Sequence, residues 1–222
     1  MTSIECILPT YNALTPDQIN KINSNSFVVK HGKGENIFSQ EKPISYLMFL
    51  SSGLIKVLKE FKDKKSIILK IAGPGNYIGL ISVFYGNRYQ FSATAIEDSE
   101  LVYVNFPIMK EIISENGLFA LQMIQQFSNE GMDILNKLIY FPQKQVPGRI
   151  AEVLWFLSSE IYNDIHFTLP LSRQELADLV YSTKESVSRT LTEFKNDRMI
   201  DIEDRKISLK SIDLLKILSK LG

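Results

Sequence analysis

The chain has 222 residues, 45% of them apolar, enough to bury one large core or two ordinary ones and too many for a disordered chain. Its 25 basic and 25 acidic residues cancel and are spread evenly over both halves, which excludes a domain-wide positive field. Any contact with nucleic acid has to come from a local patch.

Cys6 is the one cysteine, so no internal disulfide can form, and alone it holds neither a structural zinc nor an iron–sulfur cluster. That usage points to a reducing, cytoplasmic setting. The opening MTSIECILPTYNAL has no basic region leading into an apolar core, and no run of about 18 apolar residues occurs. Neither a signal peptide nor a membrane span is expected.

Residues 27–105 read as a β-rich domain. Seven of the eleven glycines fall between Gly32 and Gly86, where they punctuate short apolar runs. YLMFL, LIKVLKEF, SIILKIA, FSATAIE and LVYVN are candidate strands. SSG, the charged KDKK, GPG and DSE are the turns between them. The punctuation is too dense for helices, and the spacing predicts a sandwich or barrel.

After Pro107 the period changes to helical over 107–141. Leu121, Ile124, Ser128, Gly131, Leu135 and Leu138 follow a 3,4 spacing, a seam apolar at its ends and small or polar in its middle. The seam could pack on the chain's own barrel or against a second copy. The second copy is the better fit, because a long helix after a compact barrel has little else to cover it. The Ser128–Gly131 gap would let two backbones approach or leave room for a ligand.

FPQKQVPG (141–148), with two prolines and a glycine, reads as a hinge. Beyond it come an amphipathic helix carrying Ile150, Val153, Leu154, Leu157 and Ile161, a short strand in DIHFTLPL, and two closely spaced helices. Two strands around a charged turn in IDIEDRKISL and a last helix complete the chain. That order outlines a winged helix-turn-helix. The expected division is 1–106 sensor, 107–140 dimerisation helix region, 141–148 hinge and 149–222 DNA-binding domain.

The second helix of the pair has two faces. Val187, Leu191 and Phe194 can anchor it, while Glu185, Ser188, Arg189 and Thr192 share the other side. In helix-turn-helix proteins the N-terminal residues of this helix enter the major groove. There an Arg can bond guanine bidentately and a Glu can accept from cytosine. As a solvated face, the same residues would offer a weak Glu185–Arg189 ion pair four residues apart. Two helix starts are open from the residues alone. A cap at Ser182 makes Glu185 its box partner, and a cap at Thr183 leaves Glu185 free.

LSRQELADLVYSTKESVSRTLTEFKNDRMI (171–200) resembles the winged helix-turn-helix of the cyclic-AMP receptor/fumarate–nitrate regulator superfamily. GNYIGL…FSATA resembles that family's ligand cassette in its β-roll, and QVPGRIAEVLWFL the first helix of its DNA-binding domain. The resemblance implies an α+β protein with an N-terminal cyclic-nucleotide-binding-like jelly roll, a long dimerisation helix and a C-terminal winged helix-turn-helix. It further implies a non-enzymatic homodimer that binds a palindromic operator in double-stranded DNA and contacts RNA polymerase. The family's reading pattern, E-x-x-[SG]-R, is filled by Glu185, Ser188 and Arg189. The Ser form is similar to the fumarate–nitrate branch and implies half-sites like TTGA…TCAA. The resemblance also implies Thr183 as the helix cap, Lys184 as a base or phosphate contact, and Arg173 and Lys206 as phosphate contacts. Tyr181 stands at a turn position usually held by Gly.

In the cyclic-AMP branch the cassette supplies a Glu for the ribose and an Arg for the phosphate. The match puts Leu80 and Phe91 at those positions, with Ser92 and Ala93 retained and the Gly79 backbone nearby. Cyclic AMP is therefore not expected, and Cys6 alone excludes the iron–sulfur mechanism of the other branch. Arg88 is close enough in sequence to swing in as a substitute cation. An apolar effector among Leu80, Ile81, Val83, Phe84 and Phe91 competes with simple filling of the roll. Ser128 completes the pocket candidates. A haem has His31 and His166 as its histidine choices. His31 reads as an exposed loop residue and His166 lies beside the DNA reader, so haem is unsupported. No metal site is expected. A catalytic β-roll would want a cluster of histidines and carboxylates, which two histidines do not provide. The alternative reading is a small-molecule or haem-based sensor or adaptor that does not read DNA specifically.

Overall fold

A computed structural model describes residues 10–62 and 66–222, with Leu221 described by its backbone alone. Cys6, most of the opening segment and part of the KDKK turn lie outside the described residues. The chain forms two compact units, Met1–Ile134 and Leu135–Gly222.

The first unit opens with helix α1 (Pro16–Ser24), which the strand-centred sequence reading did not anticipate. Thr15 and Gln18 close a capping box at its start. Eight strands follow: β1 (Ser26–His31), β2 (Asn36–Phe38), β3 (Tyr46–Ser52), β4 (Ile55–Glu60), β5 (Ser66–Ala72), β6 (Tyr77–Ile78), β7 (Ser92–Ala95) and β8 (Ser99–Asn105). They form two antiparallel four-stranded sheets, β1-β8-β3-β6 and β2-β7-β4-β5. The first strand pairs with the last, Ser26 opposite Val104 and His31 opposite Ser99. This is the expected jelly roll.

Met48, Leu50, Ile55, Ile78, Ala93 and Leu101 pack together with the Phe38 and Tyr89 rings in one core cluster. Alternate residues of β3 and β8, Leu47, Phe49, Val102 and Val104, face the helices instead. One expectation fails between β6 and β7. The glycine-rich stretch contains a helix, α2 (Leu80–Tyr85), started by Gly79 at φ 81°. A left-handed residue there turns the chain sharply enough for the LISVFY run to wind. Leu80 and Val83 consequently pack in the helix-facing cluster with Phe106, Met109, Ile112, Phe119 and Met123, apart from the cluster of Phe38 and Tyr89.

The helical region is two helices, α3 (Phe106–Glu115) and α4 (Gly117–Tyr140). The break is Asn116. Its Oδ1 accepts from the Phe119 N–H at 3.0 Å, and its Nδ2 donates to the Ala13 carbonyl at 2.7 Å and to Gln18 Oε1 at 2.8 Å. Phe119 and Met123 bury one face of α4. The seam face stays open: Leu121 is 65% exposed, Ile124 59%, Leu135 47% and Leu138 54%. Phe119 and Met123, rather than the seam residues, are the side chains that α4 buries within the chain. The division between the two compact units falls within α4.

In the second unit, Phe141–Gln143 forms a 3-10 turn and α5 (Val146–Phe156) already begins at Val146, so the irregular segment is shorter than 141–148. A π-helical turn, Leu157–Tyr162, extends α5 and ends at Asn163 with φ 48°. Then come β9 (His166–Thr168), α6 (Arg173–Leu179), α7 (Lys184–Asn196), β10 (Ile200–Glu203), β11 (Lys206–Leu209) and α8 (Ile212–Leu221). The three strands form one antiparallel sheet, β10-β11-β9. Ile150, Val153, Leu154 and Leu157 are buried on α5, and Val187, Leu191 and Phe194 on α7. The architecture is the expected winged helix-turn-helix.

Candidate nucleic-acid interface and ligand cassette

Capping fixes both helices of the pair. Ser172 Oγ accepts from the Glu175 N–H at 3.2 Å, and Glu175 Oε2 accepts from the Ser172 N–H at 2.8 Å, a capping box on α6. On α7 the cap is Thr183, whose Oγ1 accepts from the Ser186 N–H at 3.2 Å. Glu185 is therefore the second helical residue, where its charge favours the helix dipole, and it closes no box with Ser182.

Between the helices, the Ser182 N–H bonds the Ala177 carbonyl at 3.0 Å across Tyr181, which sits at φ 52°. That is a Schellman ending with a tyrosine where glycine is usual. A left-handed non-glycine residue costs about 1–2 kcal/mol. Contacts offset it: Arg149 Nη1 donates to the Val180 carbonyl at 2.6 Å and to the Tyr181 carbonyl at 3.2 Å. The Tyr181 ring meets Phe141 edge-on at 6.0 Å.

The buried Val187, Leu191 and Phe194 turn the opposite face of α7 outward. Lys184, Glu185, Arg189 and Thr192 are exposed and Ser188 is half-buried. Glu185 and Arg189 do not pair with each other among the described residues, contrary to the four-residue spacing. Arg189 lines a cleft of about 550 Å³ between the Gln145–Arg149 start of α5 and the Ser186–Glu193 side of α7. α5, whose N-cap residue is Gln145, begins without a side-chain cap. Gln145 and Arg149 were missed in the sequence. The VPG triplet, with Pro147 in the first turn, was the signal that a helix start lay there.

Arg173 is half-buried at the start of α6. Burial, and then the neighbouring Arg205 guanidinium, hold it below the usual arginine range. Arg205 was also missed. Its Nε and Nη2 donate to the Leu169 carbonyl at 3.1 Å and the Pro170 carbonyl at 2.7 Å, fastening the wing turn to the entry of α6. Lys206, the expected wing contact, is exposed on β11 opposite Glu203.

The cassette is differently disposed. A β-carbon on Gly79 would lie 3.2 Å from both Phe38 and Tyr89, whose rings stack at 3.8 Å. Leu80 is buried. Phe91 is half-buried under the Lys59 ammonium, 5.7 Å from its centroid, and that ammonium donates to the Gln90 carbonyl at 2.8 Å. Ser92 is buried with its Oγ donating to Glu60 Oε2 at 2.9 Å and accepting from the Gln40 N–H at 2.9 Å. Ala93 belongs to the cluster of Phe38 and Tyr89. Ser128 is exposed on the seam side of α4. Arg88 donates to the Glu41 carbonyl at 2.6 Å instead of approaching Ser92. A cyclic phosphate would thus meet the Glu60 carboxylate at the serine, and these residues do not fit it.

His31 corrects another expectation. It is buried, its Nδ1 2.9 Å from Glu35 Oε1 and its Nε2 2.9 Å from the Tyr103 hydroxyl. The Gly32 N–H, then the His31 hydrogen bond, hold the Glu35 carboxyl below its ordinary range, while burial pushes Tyr103 up to about 12. His166 is exposed, with Nδ1 2.8 Å from Ser208 Oγ. Among the described residues no group of three or more His, Cys, Asp or Glu is placed to hold a metal. Among the described residues no helix is long and apolar enough to cross a membrane.

Comparison with known proteins agrees with both units. Residues 28–116 match the cyclic nucleotide-binding domain model, and 148–218 match the Crp-like helix-turn-helix domain model. The chain is 22% identical to a CRP-like cAMP-activated global transcriptional regulator of Mycobacterium tuberculosis, over 92% of this chain and 93% of that one. It is 26% identical to an anaerobic regulatory protein of Bacillus subtilis, over 84% and 81%. Its fold matches FixK2 from Bradyrhizobium japonicum with a TM-score of 0.81, at 21% identity over 89% and 98% of the two chains. With a β-roll, a long helix and a winged helix-turn-helix in this order, and family models on both sides of that helix, the chain belongs to the CRP/FNR family of transcription regulators.

Proposed function

We propose that this protein is a homodimeric, sequence-specific DNA-binding regulator whose sensor domain does not take a cyclic nucleotide. The observation that carries the reading is the outward face of α7. Glu185, Ser188 and Arg189 stand on a helix anchored by Val187, Leu191 and Phe194, with neither charged group spent on the other. Arg189 is suited to guanine and Glu185 to cytosine, each discriminating by about 1–3 kcal/mol. Thr183, Lys184, Arg173, Arg205 and Lys206 supply the surrounding polar and basic contacts for phosphates. A second copy covers the exposed seam of α4, which gives two reading helices and a palindromic operator of the TTGA…TCAA kind. RNA polymerase is the further partner expected of a regulator of this family.

In the sensor, Leu80 and Phe91 take the places of the ribose and phosphate contacts, and Glu60 holds Ser92. An anionic cyclic phosphate would meet the Glu60 carboxylate at Ser92, and the Lys59 ammonium over Phe91 is engaged by the Gln90 carbonyl. The test is binding to a TTGA…TCAA duplex and to a scrambled duplex at two salt concentrations. Preference for the palindrome that survives the higher salt supports specific reading, and equal affinity for both duplexes overturns it.

A further inference from the structure

Tyr181 holds a left-handed turn in which glycine would be unstrained. Among the described residues Glu41, Asn163, Arg198 and Asp204 also hold a positive φ, and of the five Tyr181 alone brings an aromatic ring to its turn. That ring meets Phe141 edge-on, with centroids 6.0 Å apart, and lies 5.7 Å from the Lys137 ammonium, which is also 5.1 Å from the Phe141 centroid. Lys137 belongs to the last turns of α4, and Phe141 follows directly after that helix. Burial pulls the Lys137 ammonium down to about 8, so this cation is largely withdrawn from water. Arg149 of α5 holds the same turn by its carbonyls, with its own Nε buried and unpartnered. The end of α4, the start of α5 and the α6–α7 turn thus converge on one tyrosine.

We propose that Tyr181 is a positioning residue for DNA reading, which locks the start of α7 to the end of α4 and so sets the distance and rotation between the two reading helices of a dimer. This rests on the homodimer reading above. Leu135 and Leu138 lie on the same turns of α4 as Lys137, on the exposed seam, so a turn fixed to these residues is fixed to the dimer axis. With a rigid joint, binding depends sharply on half-site spacing. With a loose joint, each reading helix finds its half-site separately.

The experiment uses the full chain and duplexes carrying TTGA and TCAA half-sites, with the central spacer changed one base pair at a time. The wild type is expected to prefer one spacer over its neighbours by about tenfold. Tyr181→Gly removes the ring and the left-handed strain together, and is expected to flatten that preference below about threefold while leaving affinity for an isolated half-site unchanged. Tyr181→Asn tolerates the same backbone without a ring and serves as a second variant, and circular dichroism identifies which variants are folded. Tyr181→Phe retains both ring contacts and is expected to keep the preference. A folded Gly or Asn variant that keeps a tenfold preference overturns the inference. So does a Phe variant that loses it fully, or a wild type that selects TTGA half-sites at every spacing alike. A wild type that does not distinguish TTGA from scrambled half-sites overturns instead the DNA reading on which the inference rests.

Discussion

The reading face of α7 and the cassette of the β-roll use polar side chains in opposite ways. On α7, Glu185 and Arg189 are exposed and do not pair with each other. In the cassette, Ser92 is buried and already bonded on both sides, by Glu60 and Gln40, and a β-carbon on Gly79 would lie 3.2 Å from both rings of the Phe38–Tyr89 stack. A surface built to meet a partner leaves hydrogen-bonding capacity open, whereas a surface that satisfies itself has that capacity filled. The two regions therefore carry the family resemblance with different meaning. In one the residues proposed to read DNA are exposed. In the other the proposed pocket serine is bonded to Glu60 and Gln40.

The comparison breaks most readily at the seam. Leu121→Glu with Leu138→Glu should dissociate the dimer and lower palindrome affinity at least about hundredfold, read by sedimentation and fluorescence anisotropy. A variant that stays dimeric would mean the seam lies elsewhere. Next, Arg189→Ala should remove about 1–3 kcal/mol of operator discrimination while gel filtration still finds a dimer. If that dimer selects the palindrome as well as the wild type does, Arg189 is not a reader.

Lys137 gives a pH test of the joint beside Tyr181. Its ammonium is disfavoured by folding, so from about 8 upward the folded chain releases a proton that the unfolded chain keeps until near 10.5. Stability should then rise with pH across that window, by at most about 1.4 kcal/mol per unit. Tyr77 and Tyr103, raised to about 12, act in the opposite direction above their ordinary value of 10, so the rise is clearest between about 8 and 10. Subtracting the denaturation curve of Lys137→Met isolates it, and an unchanged slope in that variant would assign the effect to another group.

Smaller effects sharpen the contrast. Lys206→Ala should weaken all duplexes a few-fold and alike, lowering the salt slope by about 1. Cyclic AMP should shift the wild-type melting midpoint by less than about 1 °C, whereas Phe91→Arg with Glu60→Gln, which supplies a cation and removes the competing charge, should gain a measurable shift. A large wild-type shift would reopen the cassette.

Local chemistry was legible in the sequence. The 3,4 spacing of α4, the buried stripe of α7 and the strand–turn–strand wing all follow from patterns within a few residues. Even the strained position of Tyr181 was marked by its place in the turn. What escaped depends on partners far away in the chain. His31 is buried because Tyr103, 72 residues on, reaches its ring, and Ser92 is occupied because Glu60 lies across a neighbouring strand. Arg205 and Lys206 are adjacent, and which of them fastens the wing is set by strand register, where a one-residue slip reverses the face. The α2 helix was hidden because glycine reads as a breaker, while here Gly79 is the starting cap.

The pairing of β1 with β8 has a consequence for biosynthesis. Ser26 finds its partner only at Val104, so the roll cannot close until more than a hundred residues have left the ribosome. Until then β1 waits with Phe27 and Val28 uncovered, and both remain about half exposed even in the finished fold. Its closure is a long-range event and correspondingly slow. The second unit closes over a comparable separation, because α8 packs on α5 and Gly148 meets Gly222, so both units depend on a late, long-range contact.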